Sequence, residues 1–367
     1  VIAVKNLLAE KTRLALSVLG VALGVLLILV MTGLFVGTTR QVTTYIDHSR
    51  NAVWVMQPGV SQMFKAVSWL PADTERRLTA LPEVASADPI IGLPSDFVHD
   101  GTHTAYFVLG YDTATGVGGP WSLDQGRTVE QPGEVVLDRI LAGKNGIRLG
   151  DTVELVDEEF TVVGLSNQTA AATNYYTFIS LPDAARLLRA RDRVSYFLVQ
   201  PNPGSSHDQL IAAIRNGVPG VDAYSAATFA ENSRDIIVTM IGRPLKTMIA
   251  IAALVGIALV GLTMWALTAE QLTAFGLLRA LGVQSHQLWR TVLAQAGLIA
   301  ALGYLVGAAA AFAAEVLLGD RLGDVTIAIT PTMLVAVAAG TAVMAALGSV
   351  LPARRVAKID PAIAFHR

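Results

Sequence analysis

Four stretches of this chain carry no Asp, Glu, Lys or Arg over a length that can cross a lipid bilayer: Leu14 to Thr39, Thr247 to Ala269, Thr291 to Ala314 and Val325 to Ala353. At about 1.5 Å per helical residue, each can span a hydrocarbon layer of about 30 Å. An even number of spans puts both termini on one side. The wider composition agrees: 53% of residues are hydrophobic, 15% are charged, and the mean hydropathy is +0.51. Such a chain is too apolar for an ordinary soluble protein yet not apolar throughout, so a membrane part and a water-exposed part are expected.

Orientation follows from the charged residues between the spans. Segments 1–14, 270–290 and 354–367 hold nine Lys/Arg against Glu10, Glu270 and Asp360, whereas the loop at 315–324 has Arg321 against Glu315, Asp320 and Asp324. The positive-inside bias therefore places both termini in the cytoplasm. Lys5, Lys11 and Arg13 ahead of an apolar run look outwardly like a secretion signal, but 26 uncharged residues fit a retained anchor better than a cleaved segment. Within 1–13, Val4, Leu7 and Leu8 set against the charges suit a helix lying on the inner surface. Gly20/Gly24 and Gly33/Gly37 in the first span, and Gly303/Gly307 in the third, are spaced to let another helix approach closely.

Between the first two spans the composition changes, with 17 Lys/Arg and 23 acids from Arg40 to Lys246. This reads as a folded α+β domain outside the membrane. Strands are expected at Val53–Met56, Tyr106–Leu109, Val135–Leu137, Thr152–Leu155, Phe160–Val163 and Val194–Val199, and helices at Pro71–Leu81, Pro182–Arg189 and Ser206–Asn216. The domain with its helical ends occupies 40–243, and the second span begins at 244. Val42, Tyr45, Ile46 and Ser49 continue one helical face after the first span. Phe229, Ile236, Ile237, Met240 and Ile241 are spaced for another before the second, so a two-helix stalk is expected, bent at Pro244.

The chain between the second and third spans, 270–290, is amphipathic. Phe275, Leu278, Leu281 and Leu288 fall at helical spacing beside Arg279, Gln284, His286 and Gln287. A surface helix ended by Gly282 and restarted by Ser285 as a cap is expected there. Its words, Phe275-Gly276-Leu277-Leu278-Arg279-Ala280-Leu281-Gly282, resemble the E-x-G-x-x-R-A-x-G signature of MacB/FtsX/LolC-type ABC transporter permeases, with Ala274 where the family usually has Glu. The segments Gly133-Glu134-Val135-Val136-Leu137, Leu149-Gly150-Asp151-Thr152-Val153 and Phe160-Thr161-Val162-Val163-Gly164 are similar to MacB-like outer domains. The closing Pro352-Ala353-Arg354-Arg355 and Asp360-Pro361 match the family's ending.

The resemblance implies four transmembrane helices with a large outer α+β domain between the first and second, in a bacterial cytoplasmic membrane. It implies a cytoplasmic coupling helix at 270–290 whose residues 275–282 dock to a separate ABC ATPase, which would bind the ATP and Mg. Two ATPase copies, a second copy of the permease or a close paralogue, membrane lipids, and an outer substrate or hydrolase are the implied partners. The implied activity is mechanotransmission: ATP hydrolysis inside moves the outer domain, exporting or extracting a peptide, lipid or lipoprotein. A transducer that controls an extracellular cell-wall hydrolase without moving a substrate is the alternative.

The chemistry absent from the sequence points the same way. No G-x-x-x-x-G-K-[ST], H-E-x-x-H or G-x-S-x-G occurs, so neither ATP binding nor intrinsic catalysis is expected of this chain. No span holds an ionisable residue of the kind ion-driven carriers need. His99 and His103 flank Asp100-Gly101, a hairpin turn that would face His99 with Thr102 rather than with His103, so no metal pair is expected. A net charge of −2 without a long basic block gives no case for nucleic acid, and the lack of cysteine removes disulfides and thiolate metal sites.

Overall fold

A computed structural model describes residues 11–49, 52–63, 67–99, 102–171, 174–190, 192–270, 275–277, 281, 283–322 and 327–357. The chain begins with α1 (Lys11–Val42) and the short α2 (Thr44–His48), then enters the domain with β1 (Val53–Met56), β2 (Leu70–Pro71), α3 (Thr74–Thr79), β3 (Val84–His99) and β4 (Thr102–Tyr111). It continues with β5 (Leu123–Gly126), β6 (Glu134–Asp138), α4 (Arg139–Lys144), β7 (Thr152–Leu155), β8 (Glu158–Ser166), β9 (Ala170–Ala171) and β10 (Asn174–Ser180). There follow α5 (Leu181–Leu187), β11 (Arg193–Val194), β12 (Tyr196–Pro201), α6 (His207–Gly217) and β13 (Asp222–Ser225). Three long helices close it: α7 (Ala226–Glu270), α8 (Ser285–Leu322) and α9 (Pro331–Ala357). Two compact units result, one of long helices and one spanning Gly37–Met240.

The α+β unit is built on a mixed sheet of eleven strands in the order β13-β1-β12-β3-β4-β10-β6-β8-β5, with β7 on β8 and β9 on β10. β10 runs parallel to β4, and β6 parallel to β8. The expected hairpin closes β3 and β4 with His99 opposite Thr102 and Val98 opposite His103. Strand alternation gives the sheet two buried faces, as β1 shows: Val53 and Val55 point into one core, Trp54 and Met56 into the other. Leu78, Ala184, Leu187, Leu210 and Ile214 from α3, α5 and α6 cover the first face. The second is covered by the two chain segments that join this domain to the long helices, through Tyr45 and Ile46 of α2 and Ala226, Phe229 and Ala230 of α7.

That arrangement corrects the stalk expectation. The first helix stops at Val42, Thr43 makes a turn, and Tyr45 and Ile46 lie 3% and 0% exposed inside the domain rather than along a free helix. Their apolar surface is spent on the sheet. Phe229 is likewise buried, stacked on Trp54 at 4.9 Å. Farther along α7, Ile236 is half-buried, Met240 and Ile241 are exposed, and the Ile237 side chain lies outside the described residues. Helix α7 passes through Pro244 without interruption.

Helix ends also differ from the uncharged runs. Helix α8 starts before the third span and continues past it through Glu315, so 315–322 is helix rather than loop, and no break separates 290 from 291. Uncharged runs mark what lipid tolerates, whereas a helix stops only where its hydrogen bonding stops. Helix α9 starts at Pro331 rather than 325, because Thr330 caps it: Met333 N donates to Thr330 Oγ1 at 3.3 Å. Before it, Ala328 N donates to Gly33 O at 3.1 Å, fixing 327–330 on α1. Residues 354–357 are the last turn of α9, not tail. The inner-surface helix expected at 1–13 falls on 1–10, outside the described residues, and on the first turn of α1.

In the helical unit, glycines set the crossings. A Cβ on Gly303 would sit 2.6 Å from Val21 Cβ, and one on Gly307 2.5 Å from Ala22 O, so this pair seats α8 on α1 at backbone distance. A Cβ on Gly20 would sit 3.2 Å from Leu259 of α7 and one on Gly33 2.8 Å from Ile327, whereas one on Gly24 would meet nothing within 4 Å. Gly37 is buried. A crossing without G-x-x-x-G spacing was invisible to the pattern: Gly348 of α9 meets Gly261 and Ile257 of α7, with Ile257 O at 2.8 Å.

Candidate coupling surface and transmission elements

The connector between α7 and α8 separates into a buried and an exposed side. Phe275 is 4% exposed and shares a core with Leu288 and Val292 of α8, and Gly276 is buried beside it. Both belong to the expected docking run, and neither offers a surface to a partner, because a Phe ring at this depth gains more from the helix core than from water. Leu277 and Leu281 are 53% and 75% exposed. Leu281 N donates to Leu277 O at 3.0 Å, a bond between residues four apart that brings the two leucines to one side. Leu278, Arg279, Ala280 and Gly282 lie outside the described residues.

The restart of the helix is also displaced from expectation. Gln287 N and Leu288 N both reach Gln284 O, at 3.0 and 3.4 Å, which makes Gln284 the cap and puts Ser285 inside the first turn. His286, Gln287, Trp289 and Arg290 follow on the exposed side. The sequence pattern chose Phe275, Leu278, Leu281 and Leu288 as one face. Periodicity could not separate the residues facing the chain's own helices from those facing outward, since both are apolar.

Inside the α+β domain, the entering and leaving segments are tied together. Arg234 Nη2 of α7 donates to Thr43 Oγ1 at 3.2 Å, and the Thr43 hydroxyl donates to Asp47 Oδ2 at 2.8 Å. Below them Tyr45 donates its hydroxyl to Gly118 O at 2.8 Å and packs 5.2 Å from Tyr176, while Trp54 Nε1 donates to Ser49 Oγ at 2.8 Å. Burial pushes the Tyr45 phenol well above its ordinary range and raises Tyr176 and Tyr196 as well, so these rings stay neutral and serve as packing elements, with Tyr45 also bonded to Gly118. No sequence signal pointed to Thr43 or Arg234, because the clasp joins residues 191 positions apart.

Two buried acids of the domain have structural roles. Asp138 caps α4, accepting from Ile140 N at 2.8 Å and Thr169 Oγ1 at 2.6 Å, with burial raising its carboxyl. Asp183 accepts from Ser180 and from Gly133 N across to the neighbouring loop. No three His, Cys, Asp or Glu come together as a metal group among the described residues.

The chain is similar to several known proteins. Residues 14–216 match the family described as MacB-like periplasmic core domain, and 246–361 the FtsX-like permease C-terminal family. An uncharacterized ABC transporter permease of Mycobacterium tuberculosis (strain H37Rv) is 26% identical over 371 residues, covering 99% of this chain and 98% of the relative. The macrolide export ATP-binding/permease protein MacB of Shewanella sp. (strain ANA-3) is 23% identical over 395 residues; the match covers 98% of this chain and 58% of that protein. The crystal structure of the periplasmic region of MacB from Actinobacillus actinomycetemcomitans aligns with 50% of this chain and 92% of its own, at 14% identity and a TM-score of 0.39.

Proposed function

This chain belongs to the MacB/FtsX-type ABC transporter permeases, and we propose that it is the non-catalytic subunit through which a separate ABC ATPase moves an outer domain. The observation that carries this reading is the Leu277/Leu281 pair, two large apolar side chains one turn apart, exposed on the connector that the resemblance assigns to ATPase docking. In this reading both termini and the connector lie in the cytoplasm, and ATP and Mg belong to the partner.

Motion then has a defined route. Because Tyr45, Ile46 and Phe229 form one layer of the domain core, a displacement of the segments leading to α1 and α7 must shift the sheet face they cover or break a close-packed interior. The described spans hold apolar side chains rather than a charged conduit, which favours a substrate handled outside the membrane, a peptide, lipid or lipoprotein.

Co-purification with the partner ATPase tests the docking face. Leu277→Asp and Leu281→Asp each put an unpaired charge where an apolar contact is required, a cost of about 3 kcal/mol or roughly a hundredfold in affinity. The complex should be lost while the permease still inserts. Unchanged co-purification and unchanged ATPase activity would overturn the assignment.

A further inference from the structure

Helices α7 and α9 touch at Gly261 and Gly348, and that close crossing leaves an open groove beside it. Beside the crossing, Leu262, Leu347 and Leu351 splay around a trough of about 460 Å³ and stay 70%, 54% and 67% exposed. From Ile257 to Trp265 the trough runs eight residues along α7, about 12 Å at helical rise. One end is different in kind. The Arg355 guanidinium lies 4.4 Å over the Trp265 ring, and Arg354 is exposed beside it in the last turn of α9.

We infer that this groove holds an anionic phospholipid, with an acyl chain along the α7/α9 trough and its phosphate on Arg355. Charge complementarity chooses the occupant. A purely apolar trough would suit any chain or helix, but this one ends in a fixed cation next to an indole, the pairing of an acyl chain with a phosphate at the membrane interface. A guanidinium held over an indole keeps N–H groups to offer a phosphate oxygen, two at a time, which a single ammonium does not. A second copy packed groove to groove would set Arg354 and Arg355 against the same cations, which disfavours that packing.

The site lies within the helical unit, so its test is independent of docking to an ATPase or of which leaflet the arginines face. The full chain is reconstituted in bilayer discs of equal parts phosphatidylglycerol and phosphatidylethanolamine, released into mild detergent, and its retained lipids are measured by native mass spectrometry. Wild type should retain phosphatidylglycerol in preference. Arg355→Gln should cut that preference about fivefold, the weight of one basic group at an anionic surface. Ala258→Phe, at an exposed position lining the trough, should displace the lipid with Arg355 still in place. Arg290→Gln, which removes a cation from another helix end, should leave retention unchanged. Equal retention of the two lipids by wild type, full retention by both Arg355→Gln and Ala258→Phe, or an equal loss in Arg290→Gln would overturn the site. So would Ala258→Phe changing the oligomeric state with no loss of lipid.

Discussion

Glu134 shows how single residues are fixed by surroundings that no local pattern reveals. Arg127 grips its carboxylate with two guanidinium nitrogens, one at 2.8 Å, and the backbone N–H groups of Glu130 and Gln131 donate to it at 2.9 and 3.1 Å. The hydrogen bond from Arg127 leads the effects that lower its carboxyl from 4.5 to about 2. A carboxyl held below its unfolded value stabilises the fold fully above that value and loses the contribution as pH falls toward the folded one. Glu134→Gln should therefore lower Tm by about 2–4 °C at pH 7, with the difference shrinking below pH 4.5 and gone near pH 2. Thermal unfolding of wild type and variant across that range checks it; a difference independent of pH would mean the ion pair is not the cause. The same scale governs the connector proposed for docking, where Leu277 and Phe275 are both apolar and only packing separates the exposed one from the buried one.

Elements are set by caps and crossings more than by hydropathy. The Ser206–Gln209 capping box at the start of α6 was legible in the sequence as a helix start. The beginning of α9 at Thr330-Pro331 was not, because the uncharged run extends across it. Crossings were legible only in part: Gly303 and Gly307 had the spacing, Gly261 and Gly348 did not. Among these crossing glycines, Gly303 and Gly307 should be the least tolerant. Gly307→Leu must displace the backbone of α1 at Ala22, an overpacking cost of about 1–3 kcal/mol or more, while Gly24→Ala should stay within about 0.5 kcal/mol. Folded yield and thermal stability in detergent distinguish them, and equal behaviour of the two variants would contradict the α1–α8 packing.

At the scale of the whole molecule, the prediction concerns which side of the membrane each part occupies. A reporter at Asp157, in the exposed β7–β8 turn, should signal outside the cytoplasm, and one at Gln284 should signal inside; the opposite result at either site would reverse the orientation drawn from loop charge. Four spans, an α+β domain between the first two, and the family itself were determined by the sequence alone, because bilayer thickness imposes a length, strand alternation imposes a period, and a few words around Gly276 and Arg354 carry the resemblance. Which side of the connector faces outward, and that the domain is roofed by its own entering and leaving segments, was decided only by the tertiary structure. Tyr45, Phe229 and Trp54 look like ordinary members of helical or strand patterns, and it takes the closure of the sheet to bring residues so far apart in the chain into one buried layer, since burial of apolar surface has no direction until the elements pack.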